Sequence, residues 1–148
     1  MNAPLPACEK DALAAAPAVS VSGARLRLRA MVAVGHSPAR IARALGEGIS
    51  TRTVQRMLCG AARGMPQRQL DRIADLYEAW WDLCPPRRTR GERAAATLAR
   101  RRAREAAWCT GMGLDDVLLD TPGYEPHCAW RPATGTGTAA DDPLGGAS

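Results

Sequence analysis

The sequence predicts an all-α fold: a helix-turn-helix bundle of about four helices, a fifth helix rich in Arg and Ala, and disordered tails. Three observations predict it. Apolar residues recur at helical spacings instead of alternating, as in Leu28, Met31 and Val32 and again in Leu70, Ile73, Ala74 and Tyr77. The periodic runs are bounded by helix punctuation, with Gly35 and Ser37-Pro38 between two of them and Pro85-Pro86 closing another. The stretch from Ser37 to Gly60, SPARIARALGEGISTRTVQRMLCG, holds two short runs separated by glycines.

Residues 1–22 are small, Pro-containing and aperiodic, and read as a disordered arm. The helix-turn-helix domain spans 23–84. Its first helix, Ala24 to Val34, turns Leu28, Met31 and Val32 to the core and leaves Arg25, Arg27 and Arg29 in water, until Gly35 ends it. Ser37 caps the next helix, Pro38 to Leu45, where Pro38 occupies a first-turn position and Ile41, Ala42 and Leu45 share one face. Gly46 closes that helix, and Glu47 and Gly48 enlarge the turn by about two residues over the commonest helix-turn-helix spacing. A second helix starts at Ser50 or Thr51, with Val54, Met57 and Leu58 inward. Its outward set suits DNA, since Arg bonds guanine O6/N7, Gln bonds adenine N6/N7, and hydroxyls hold phosphate. The candidate DNA contacts are Ser50, Thr51, Arg52, Thr53, Gln55 and Arg56, with Arg63 following in the loop Ala61 to Pro66.

Gln67 to Cys84 is the most regular helix, with Asp71, Asp75, Glu78 and Asp82 forming an acidic stripe beside the apolar one. Neighbouring helical positions differ by about 100°, so Trp80 and Trp81 point to different surroundings. Residues 85–110 hold a basic fifth helix, from about Arg90 to Trp108. Thr89 and Glu92 form its capping box, and Leu98 and Trp108 are its large apolar anchors. Its arginines wrap much of the circumference, so a solvated helix and a second phosphate-holding element both remain open. On the second reading Arg100, Arg101 and Arg104, together with Arg40 of the first block, touch phosphate. Residues 111–132 read as a docked acidic segment in which Leu114, Val117, Leu118 and Leu119 meet the helices and Asp115, Asp116 and Asp120 cluster. The tail 133–148 reads as disordered.

Charge is segregated along the chain. The net +5 divides into −1 over 1–22, +7 over 23–64, −2 over 65–86, +6 over 87–110 and −5 over 111–148, and nineteen of the twenty cations are Arg. The basic charge therefore concentrates on the helix-turn-helix block, where nucleic acid would lie. No basic leader or long apolar run is visible, which predicts a cytoplasmic protein with no membrane contact. Five scattered cysteines without a CxxC pair predict reduced thiols, and His127-Cys128 is too sparse for a metal site. Paired Asp115 and Asp116 could ligate Mg²⁺, but no further ligand, nucleophile or base stands at usable spacing. The expectation is a non-enzyme with no catalytic residue, metal or cofactor, no identifiable effector, and double-stranded DNA as partner, with a homodimer allowed.

The segments RLRLRAMVAVGHS, IARALG, TRTVQRML, IADLYEAWWDLCPP, TRGERAAATLARRRA and WCTGMGLDDVLLD together resemble small helix-turn-helix proteins of actinobacteria and their phages and mobile elements. The resemblance covers roughly residues 23–132. It implies a DNA-binding protein of regulatory type and points to Thr51, Arg52, Thr53, Gln55 and Arg56 as recognition-helix contacts. The competing class is a protein-interaction module on a helix-turn-helix scaffold, with the acidic helix and a Trp as its binding face.

Overall fold

A computed structural model describes residues 18–126, and the expectations for 1–17, for His127 and Cys128, and for the tail 133–148 fall outside the described residues. Five α-helices and no strand are present among the described residues: α1 Val21–Val34, α2 Pro38–Leu45, α3 Thr51–Cys59, α4 Gln67–Trp80 and α5 Arg90–Glu105, followed by a 3₁₀ turn at Gly111–Gly113. The central α1 packs on α4, α5 and α3, while α2 packs on α3 and α4. Leu28, Met31, Ile41, Met57, Leu58, Ile73 and Tyr77 fill one core.

Helix α1 begins earlier than the sequence indicates. Ser20 caps it by accepting from the Gly23 N–H, and the Ser20 N–H donates to Asp120 Oδ1 at 2.8 Å. Order thus starts inside the segment read as a disordered arm, because its partner lies 100 residues away. Arg27 is the second correction. It is 8% exposed and forks onto both Asp120 oxygens at 3.0 and 2.8 Å instead of standing in water. Gly23 permits this approach, since a Cβ there would overlap Asp120 Oδ1 and come within 2.9 Å of the Leu119 carbonyl oxygen.

Helix α4 stops at Trp80, short of the expected Cys84. A residue preceding proline is driven out of the α region, so the chain leaves the helix ahead of Pro85. That exit turns the Leu83 carbonyl toward the buried His36, whose Nε2–H donates to it at 2.8 Å. His36 stacks on Trp80 with ring centroids 4.6 Å apart, and Arg40 lies over the same indole at 4.8 Å. Trp81 points elsewhere, against Gly111, and is partly exposed.

Helix α5 packs against α1 through a seam of Ala96, Ala99 and Ala103, whereas the expected anchor Leu98 is 64% exposed. Alanines let the two axes approach where a leucine would hold them apart. The capping box is present: Thr89 Oγ1 accepts from the Glu92 N–H, and Glu92 accepts from the N–H groups of Thr89 and Arg88. Those two N–H groups hold the Glu92 carboxyl below its usual range. Beyond α5, Leu119 docks in the core while Val117 and Leu118 stay exposed. Cys59 and Cys84 are free and exposed, but Cys109 is disulfide-bonded, which corrects the expectation of reduced thiols throughout.

Two buried groups give the fold a pH signature. Burial pushes His36 below its ordinary value, with Arg40 and Arg100 adding to the effect against the Leu83 hydrogen bond. The unfolded chain then takes up a proton the native state refuses, so His36 costs stability as pH falls below about 6.5. Tyr77 is pushed up to about 12, first by burial and then by Asp116, so stability falls as pH rises from its ordinary value of 10.0 toward about 12. Chemical denaturation across pH should show both losses; the acid one should be absent in His36→Gln and the alkaline one in Tyr77→Phe.

Candidate nucleic-acid interface

The sequence GEGIS between Leu45 and Thr51 makes the turn between α2 and α3. Gly46 and Gly48 take positive φ of 80° and 86°, open to glycine at little cost. Ile49 is 5% exposed, so the enlarged turn carries its own apolar anchor. Helix α4 ties the turn from behind. Arg72 Nη1 donates to the Leu45 and Glu47 carbonyls at 3.5 and 3.2 Å, and Gln69 Nε2 donates to the Gly48 carbonyl at 3.2 Å.

The far end of α3 is clamped by α1. Arg25 Nε donates to the Met57 carbonyl at 3.1 Å, and Arg29 donates through Nε and Nη2 to the Leu58 carbonyl at 3.0 and 2.8 Å. The Met57 carbonyl shares its acceptor capacity with the capping Gly60 N–H, and both carbonyls sit at the negative end of the helix dipole, so two cations one turn apart on α1 complete their bonding and complement the dipole. Burial, with Arg25 beside it, holds Arg29 below the usual arginine value. Helix α3 is therefore fixed at both ends, with Val54, Met57 and Leu58 buried beneath it.

The outer face of α3 holds the expected contacts in different states. Ser50 is the N-cap, accepting from the Thr53 N–H at 3.1 Å, and its hydroxyl also meets Thr53 Oγ1 at 3.0 Å. Thr51, Arg52 and Arg56 are exposed, and the two arginines stand one turn apart on the outward side. Arg56 and Arg63 line one cleft with Thr53, Met65 and Gln69, which brings the loop arginine beside the helix. Gln55 is turned sideways, its Oε1 accepting from Arg102 Nη1 of α5.

The four arginines expected on phosphate are dispersed. Arg40 is half-buried over Trp80, and Arg100 Nε donates to the Val34 carbonyl at 2.9 Å, closing the end of α1. Arg101 pairs with Glu105 at 2.9 Å on the exposed side of α5, where Arg104 is also exposed. Arg43 was not singled out by sequence reading, yet it lies exposed in the concavity formed with Gly46, Ser50 and Thr51 at the start of α3. Its signal was available, since Ile41, Ala42 and Leu45 face inward and leave Arg43 on the outer side of α2.

Among the described residues no three His, Cys, Asp or Glu side chains converge as a metal site, and no helix is long and apolar enough to cross a membrane. Asp115 and Asp116 serve local structure. Asp115 Oδ1 accepts from the Val117 N–H at 3.0 Å, and Asp116 accepts from the Tyr77 hydroxyl at 3.5 Å. Comparison with protein-family models, with curated proteins and with solved structures finds no match for this chain.

Proposed function

We propose that the chain is a sequence-specific DNA-binding transcriptional regulator whose α3 enters the major groove. The observation that carries this reading is the outward stripe of Arg52 and Arg56, exposed on a helix whose turn and C-terminal carbonyls are tied to α4 and α1. A preorganised helix loses little entropy on docking, and Arg can hold both guanine edges and phosphates. Arg43 beside the start of α3 and Arg63 beside Arg56 extend the basic surface to either side. Action on DNA in a cytoplasmic setting needs no cofactor or catalysis, and a homodimer would read a two-fold symmetric site.

A second reading, docking of a protein partner, is favoured by exposed Trp81, Met112 and Val117 close to acidic Asp82, Asp115 and Asp116. Salt dependence separates the two. If α3 and its flanks neutralise about five phosphates, log K for duplex DNA falls with log salt at a slope of about −4.5. An affinity flat between about 50 and 200 mM salt overturns the DNA reading.

A further inference from the structure

We infer that Arg102 of α5 sets the base that Gln55 of α3 reads, biasing it to guanine over adenine. This rests on the DNA reading above. A free glutamine favours adenine, because its oxygen accepts from the N6 amino group while its nitrogen donates to N7. Gln55 is not free. Its Oε1 accepts from Arg102 Nη1, and chemistry forces that orientation, since the amide nitrogen and the guanidinium are both donors.

Arg102 is itself held in place. Its Nη2 reaches Cys59 Sγ at 3.7 Å, and its guanidinium lies 5.2 Å from the Trp108 ring, which also carries Arg29 at 5.3 Å. Arg29 in turn grips the Leu58 carbonyl, so the cluster is continuous with the clamp on α3. A glutamine so engaged offers the groove its Nε2 hydrogens, with a cation next to its oxygen. Guanine presents two acceptors, O6 and N7, to that arrangement, whereas adenine would bring a donor amino group to an oxygen that already accepts from Arg102, and so toward a positive charge.

Selection of bound sites from a random duplex pool tests the inference. Gln55→Ala locates the base pair concerned as the position that loses its preference. There the wild-type protein should select guanine, Arg102→Met should shift the choice toward adenine by about tenfold, and Arg102→Lys, which keeps a cationic donor, should retain guanine. Gln55→Glu, which keeps the Arg102 pairing and removes both donors, should abolish the guanine preference, and it decides the matter if Arg102→Met proves unfolded by circular dichroism. Adenine in the wild-type motif at that position overturns the inference, as does guanine persisting in folded Arg102→Met, or in Gln55→Glu. An enriched motif that none of these variants alters defeats this inference alone; a wild-type protein that enriches no motif defeats the DNA reading with it.

Discussion

Replacing Asp120 with Ala is expected to destabilise the fold by about 3–5 kcal/mol, the cost of leaving a buried charge without its partner. The side chains of Arg27 and Asp120 are only 9% and 8% exposed, and the pair is bidentate. Asp120 also accepts from the Ser20 N–H and hydroxyl, so its loss loosens the start of α1 as well. Burial alone would raise the Asp120 pKa, but the Arg27 hydrogen bonds and charge and the Ser20 N–H outweigh it and hold the carboxyl below its usual range. Its stabilising contribution is therefore complete above the ordinary carboxylate value near 3.8 and is lost as pH falls below it. The double variant Arg27→Met/Asp120→Leu, which removes both charges, should recover most of the loss. Urea denaturation of the three proteins at neutral pH decides it: a cost below about 1 kcal/mol for Asp120→Ala would mean that water reaches the pair and screens it.

This ion pair marks the boundary of what local sequence can tell. Ser37, Thr89 with Glu92, and Gly35 were legible because a cap and the N–H or carbonyl it serves lie within four residues. The arginines were not, because their acceptors are remote: Arg29 serves a carbonyl 29 residues on, Arg72 one 25 residues back, and Arg100 one 66 residues back. Part of the basic charge that reads as a nucleic-acid footprint is thus spent on helix ends inside the fold. One signal for Arg27 was present and points the other way from a wet face. Ala24, Arg27 and Met31 fall at i, i+3 and i+7, which puts Arg27 on the apolar stripe and calls for an acidic partner. The alanine seam of α5 was hidden for a related reason, since small residues carry little hydrophobic signal while permitting the closest helix approach.

Removing Arg52 should separate reading from holding. Arg52 stands in the N-terminal half of α3, exposed, with no intramolecular hydrogen bond or ion pair shown among the described residues, whereas Gln55 is bound to Arg102 and Thr53 to Ser50. A free guanidinium at that place is the side chain best able to fork onto guanine O6 and N7. Arg52→Ala should then cost about 1–3 kcal/mol on the preferred site, a loss of about 5- to 150-fold, and much less on random DNA. Arg56 and Arg63, lining one cleft beside the helix, are the better candidates for phosphate. Replacing either should weaken binding to all sequences alike and lower the salt slope by about 1. Val54→Ala, by contrast, opens a cavity under α3 and lowers stability while the folded fraction keeps its site preference. The measurement is site selection paired with binding isotherms on the selected and a scrambled duplex. If folded Arg52→Ala retains both the motif and its affinity, α3 does not read bases through this arginine; if folded Gln55→Ala retains them as well, the five-residue turn that positions the helix aims its outer face away from the groove.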